Sequence, residues 1–177
     1  MEKREGPFPF PYLSGGPKEP KEEAPLSPGA KLRAPFGVEH FGIGCGQPLS
    51  HPLEGAGMEE IEAFPWPDPG RVDVSGIREE AESYEGKYAI LGGDWSPFWH
   101  DAIDLAGMEG LLLAMYDAPE IVDALLDRIV GYYLAVSERI FREAAEVIDI
   151  FFIGNDFGTS RAPWWERPSS GASFSPT

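Results

Sequence analysis

Two stretches decide the fold: Tyr88-Ala89-Ile90-Leu91-Gly92-Gly93-Asp94-Trp95, and Ile148-Asp149-Ile150-Phe151-Phe152-Ile153-Gly154-Asn155-Asp156. Each is a short apolar run that stops at glycine and then an acid. Neither is long enough for a helix, and the second is rich in β-branched and aromatic residues, so both read as buried strands. Between them lies helical sequence. Ser96-Pro97 is a cap followed by proline at the first helical position, which starts a helix over Phe98 to Leu105. Gly107 interrupts it, and Met108 to Tyr116 resumes. Pro119 to Glu146 is the clearest helix, with Val122, Leu125, Leu126, Ile129, Tyr133, Val136 and Ile140 on one apolar stripe. Two buried strands joined through helices predict a parallel crossover, hence an α/β fold with helices covering the sheet.

Outward from this unit the pattern weakens. Gly57 to Phe64 reads as a short helix ended by Pro65, Pro67 and Pro69. Val74 to Tyr84 reads as another, with Ser75 as N-cap and Ile77, Ala81 and Tyr84 at helical spacing. Gly37 to Pro52 has no clear period. Residues 1–35 carry eight prolines among Gly, Lys and Glu and are expected to be a disordered leader. Residues 36–161 form the folded domain, and residues 162–177 are expected to be a disordered Ser/Pro/Gly tail.

The chain carries 30 acidic and 14 basic residues, a formal charge of −16. Residues 1–35 hold 6 basic and 5 acidic residues, which leaves 8 and 25, a net of −17, for the remainder. Such a surface repels a polyanion, so nucleic acid is not the expected partner. No run approaches a membrane span, and no apolar stretch follows the charges of Met1 to Pro7, so the expected location is cytoplasmic. Cys45 is the only cysteine, which excludes an intrachain disulfide and any zinc site using two thiolates of this chain.

Parallel strands point their carboxyl ends to one edge, where α/β enzymes hold their sites, so Asp94 and Asp156 are the candidate catalytic carboxylates. Neighbouring strands would set them about 5 Å apart, and an intervening strand about 10 Å. The alternative for Asp156 is a helix cap or turn. Asn155 is a candidate substrate anchor beside it. Trp95, Phe98 and Trp99 would form an apolar wall for a planar ligand, or else belong to the core. His100 and Asp104 share a helix face at i,i+4 but two ligands hold no metal, so a solvated pair is expected. His40 and His51 have no partner at ligand spacing and read as loop histidines. Gly42-Ile43-Gly44-Cys45-Gly46 lacks the spacing and the lysine of a phosphate-binding loop. Cys45 reads as a structural thiol.

Four stretches taken together, His51-Pro52-Leu53, Ile61-Glu62-Ala63-Phe64-Pro65-Trp66-Pro67-Asp68-Pro69, Gly92-Gly93-Asp94-Trp95 and Gly154-Asn155-Asp156-Phe157-Gly158-Thr159, resemble the uroporphyrinogen decarboxylase superfamily over about residues 37–161. The resemblance implies part of a (β/α)8 TIM-type barrel, truncated at both ends, since such a barrel takes about 250 residues. It implies either decarboxylation of a tetrapyrrole or methyl transfer to and from a corrinoid, on a small-molecule substrate. Asn155, Asp156, Phe157, Gly158 and Thr159 match the loop after a barrel strand, and Ser160 stands where Gln is common. The Arg-rich segment and early aspartate of the decarboxylases have no match here. No cofactor is expected within this chain; zinc and corrinoid belong to a complete methyltransferase of this kind. A non-catalytic remnant is the third reading, with homodimerisation or aggregation through open barrel edges.

Overall fold

In a computed structural model the described residues are 12–13, 31–33, 35–41, 47–84, 86–93 and 96–158. Four short strands come first: β1 (Tyr12–Leu13), β2 (Lys31–Arg33), β3 (Glu39–Phe41) and β4 (Gln47–Pro48). β2, β3 and β4 form an antiparallel sheet, with Leu32 opposite His40 and His40 opposite Pro48. Within the stretch expected to be a disordered leader, the five residues of β1 and β2 pair with strands elsewhere in the chain, which satisfies backbone groups that a proline-rich segment cannot pair locally.

Helix α1 (Met58–Ala63) begins with the Glu60 carboxylate accepting the Gly57 N–H at 3.0 Å. It ends before Pro65, and the Trp66 indole N–H donates back to the Ile61 carbonyl at 2.8 Å. Asp68 accepts the Gly70 N–H and caps a single 3-10 turn, Pro69–Arg71. Helix α2 (Ile77–Glu82) is entered through Gly76 in the left-handed region, φ 80°. Ser75 is therefore not its cap. Its N–H and hydroxyl both donate to Asp73 Oδ1, a local turn that outcompetes capping.

β5 is Leu91–Gly92, and the long connection after it holds α3 (Phe98–Ala106), α4 (Met108–Asp117) and α5 (Pro119–Ala144) before β6 (Ile150–Phe151). Gly107, at φ 76°, makes the break between α3 and α4 that its residue type predicts. The apolar stripe of α5 is the spine of the molecule: Val122, Leu125, Ile129, Tyr133, Val136 and Ile140 are all buried, and Leu126 is half-buried. Its first half packs with Phe36, Val38, Leu53, Ile61, Trp99 and Leu105, and its second with Val72, Ile77, Ala81 and Ile90. Full burial of each such side chain contributes about 1.5–3 kcal/mol. Asp101, 6% exposed, lies within this packing and accepts the Tyr133 hydroxyl at 2.6 Å, tying α3 to α5.

β5 and β6 are direct neighbours and parallel, Leu91 opposite Ile150 and Gly92 opposite Phe151, with β1 on the other side of β5. Both strands are shorter than the apolar runs suggest. Tyr88 is 53% exposed in the turn before β5, and Ile150, Phe152 and Ile153 are exposed because β6 is the edge of the described sheet. Gly92 and Gly93 permit the close approach of the two strands. A Cβ on Gly92 would lie 2.7 Å from Ile148 Cδ1, and Gly93 has φ 111° with the Phe152 carbonyl 2.8 Å from where its Cβ would be. Among the described residues the two three-stranded sheets do not close into a barrel.

Candidate functional site

The adjacency of β5 and β6 brings the segments that follow them together at the carboxyl edge. Asn155 provides the joint. Its Oδ1 accepts the Trp99 N–H at 2.9 Å, and its Nδ2 donates to the Ser96 carbonyl at 3.2 Å. The free N–H groups of a helix start need an acceptor, and Pro97, the residue at the cap, offers no side-chain oxygen. Asn155 supplies it from across the crossover. Ser96, expected to cap α3, instead takes φ 46°, is buried, and presents its backbone carbonyl to Phe98 N–H and to Asn155. Asn155 thus joins the loop after β6 to the start of α3 through both ends of its amide.

Asp156 follows on the solvent side, its side chain 80% exposed, with Oδ2 3.8 Å from His100 Nε2. That gap exceeds a hydrogen bond yet keeps the two groups in each other's field. Phe157, 41% exposed, leans its ring on Phe98 (5.9 Å between centroids) and on Trp99 (6.2 Å). Trp99 itself is only 3% exposed and sits in the helical core, the second of its two readings, while the ring exposed at the edge is Phe157. Gly158 is half-buried beside them. Of the remaining candidates, Asp94, Trp95 and Thr159 lie outside the described residues, as does the segment containing Cys45.

His51 lies in a loop as read, whereas His40 is a buried strand residue and His100 does not pair with Asp104. Asp104 does not pair with His100 on its own helix. Its carboxylate meets His40 Nε2 at 2.7 Å, and its backbone carbonyl accepts His51 Nδ1 at 2.8 Å. His40, 8% exposed, and His51 thereby fasten the antiparallel sheet and the following turn to α3. Sequence spacing holds no signal for contacts between residues this far apart in the chain. The one cue for His40 was type: in an acid-rich chain an imidazole has carboxylates to find.

Cavities lie elsewhere among the described residues. One of about 80 Å³ lies between α1, α3, α4 and α5, lined by Leu53, Ile61, Leu111, Val122 and Leu125. A polar one of about 170 Å³ lies at the amino ends of β5 and β6, beside Tyr88, Glu146 and Asp149. The second is at the opposite end of the strands from Asp156, and Asp149 is engaged there by the Ile90 N–H at 2.8 Å. The carboxyl edge is the better candidate, because its polar groups converge from two chain segments onto exposed surface.

Among the described residues no three His, Cys, Asp or Glu side chains converge to hold a metal ion, and the His40–Asp104 pair provides two ligands where zinc takes four. None of the described helices is long and apolar enough to cross a membrane. Comparison with protein-family models, with curated proteins and with solved structures returned no match.

Proposed function

We propose that the chain carries part of the substrate-facing edge of a uroporphyrinogen decarboxylase-like α/β enzyme, with a tetrapyrrole macrocycle as its small-molecule ligand. The observation that supports this is the meeting of the Asn155-Asp156-Phe157 loop with the start of α3 at the carboxyl ends of two adjacent parallel strands. In such sheets that edge is where ligands bind. In this reading Asp156 accepts a hydrogen bond from the ligand, Phe157 with Phe98 behind it gives an apolar contact for a flat ring, and Asn155 holds the two loops in register. Asp94 would add a second carboxylate to the same edge.

A second reading, methyl transfer to or from a corrinoid, is favoured by charge. Uroporphyrinogen bears only carboxylate arms, and the net −17 of residues 36–177 opposes their approach. Zinc for such a reaction would have to be held by groups other than those described.

The test uses the purified full chain. Incubation with uroporphyrinogen III, followed by separation of the products by carboxylate number, is expected to show decarboxylation under the first reading. Loss of the methyl group from methylcobalamin in the presence of a thiol is expected under the second. Neither turnover nor binding of either macrocycle would sink both, and leave a non-catalytic protein.

A further inference from the structure

The two halves of the core carry different surfaces. Residues 34–70 and 88–127, which supply most of the cluster around Phe36, Leu53, Ile61, Leu111 and Leu125, hold 14 acidic residues and no lysine or arginine. Residues 71–87 and 128–158, which supply most of the cluster around Val72, Ile77 and Ile140, hold 10 acids and 6 bases. There Arg78 meets Glu82 and Glu146, and Arg142 meets Glu138. The first half has no such cation of its own. Lys31 and Arg33 pair across the antiparallel sheet with Phe41 and Glu39, on none of the elements that line the apolar cavity.

That cavity, of about 80 Å³, opens on the first half. Gly55 and Gly110 line it, both are exposed, and a Cβ on either would meet no atom within 4 Å, so they frame its mouth. No polar side chain lines it. An apolar void stays dry, and benzene takes roughly 150 Å³, so this one fits a single aliphatic side chain. The lining segments set exposed acids beside it: Glu54 precedes Gly55, Glu109 precedes Gly110, and Glu120 precedes Ile121. Among the described residues none of these three acids has an ion-pair partner. From the mouth, Gly110, Leu113 and Tyr116 follow at three-residue spacing along α4, with Leu113 57% and Tyr116 74% exposed. The result is an apolar stripe that starts at a side-chain-sized cavity and is edged by unpaired carboxylates.

We infer that this face takes a basic amphipathic helix of a partner protein. One aliphatic side chain of that helix enters the cavity, those three and four residues away lie on Leu113 and Tyr116, and its lysines or arginines meet Glu54, Glu109 and Glu120. Charge selects the occupant. A second copy would set 14 acids against 14, and an anionic membrane or a nucleic acid is repelled. Laying an apolar helix face on such a stripe is a recurring mode of peptide recognition. The face shares no residue with the carboxyl edge, so the inference stands apart from the tetrapyrrole reading.

The experiment titrates the full chain, by calorimetry, with a synthetic helix that has leucines on one face and lysines on the other. A peptide of the same composition in shuffled order is the control. Salt is held at about 0.15 M, where charges beyond roughly 8 Å are screened. The helix is expected to bind one to one, and the shuffled peptide at least about tenfold weaker, since only its leucines have lost their common face. Leu113→Gln, which alters no charge, should weaken the helix roughly fivefold or more. Gly110→Leu should block the mouth with a similar loss while raising the melting temperature, because leucine is the better helix former. Glu109→Gln with Glu120→Gln should weaken binding about threefold or more. Glu79→Gln with Glu143→Gln makes the same change of net charge on the other half and should cost less than about twofold. Equal losses from the two pairs would assign binding to the overall acidity and overturn the inference. Unchanged binding in Leu113→Gln or Gly110→Leu overturns it, as does a shuffled peptide that binds as well. No saturable binding, the result if a second copy or residues 14–30 of the chain already cover the face, overturns it too. Capture of phosphatidylcholine vesicles that Leu113→Gln abolishes gives the face to lipid instead.

Discussion

Replacing Asn155 by alanine removes both bonds that join the β6 loop to the start of α3, and the cost follows from what each bond does. The bond from Trp99 N–H to Oδ1, at 2.9 Å and partly buried, is a helix cap delivered from another segment, and losing a cap costs about 0.5–2 kcal/mol. The bond from Nδ2 to the Ser96 carbonyl, at 3.2 Å, adds about 0.5–1.5 kcal/mol. Asn155→Ala is therefore expected to destabilise by about 1–3 kcal/mol, which for a chain of this size lowers the melting temperature by roughly 2–4 °C per kcal/mol. Asn155→Asp separates the two contributions. It keeps the acceptor for Trp99 and places negative charge at a helix start, which is favourable, but it loses the donor to Ser96 and turns an oxygen toward that carbonyl. Stability should thus fall in the order wild type, Asp, Ala. Urea unfolding followed by tryptophan fluorescence measures the order, and hydrogen exchange at the Trp99 amide localises it. An alanine variant within about 0.5 kcal/mol of wild type, or an aspartate variant less stable than alanine, would show that Asn155 does not hold this joint.

Three further predictions test the packing. Gly131 is exposed in the middle of α5 with open space where a Cβ would stand, so Gly131→Ala should stabilise by about 0.5–1 kcal/mol in urea melts. Gly92→Ala should instead destabilise by about 1–3 kcal/mol, since its Cβ would sit 2.7 Å from Ile148 Cδ1, and compensating Ile148→Ala in the same chain should recover part of that loss. Tyr133→Phe deletes the 2.6 Å hydroxyl bond to buried Asp101, and a loss of about 1–3 kcal/mol with the Asp101 carboxyl still buried is expected. An unchanged unfolding midpoint would mean that this contact is not formed in solution.

What could be read along the chain was whatever has a local physical cause. The stripe of α5 follows from residues spaced to share one helix face, and each of its members is buried or half-buried. The break at Gly107, the end of α1 before Pro65, and the stop of β5 at Gly92-Gly93 follow from backbone freedom or its loss. Caps were read less well. Ser96 and Ser75 both have the right residue type, yet Asn155 and Gly76 stand in their places, because a local turn or a distant amide satisfied the same backbone groups better.

The candidate site divides along the same line. That Asp156 would stand at the carboxyl end of a parallel strand was determined by the sequence alone, since an apolar run ending in glycine and acid after a helical crossover has few other placements. Which strand would be its neighbour was not, because strand order depends on pairing between residues far apart in the chain. Only the tertiary structure decided that β5 and β6 lie side by side, that Asn155 is spent on holding α3, and that His100 turns from Asp104 to Asp156. Local pattern records which face of an element is apolar. Long-range polar partners are chosen by which groups the packing of those faces brings together, and that choice leaves no period in the sequence.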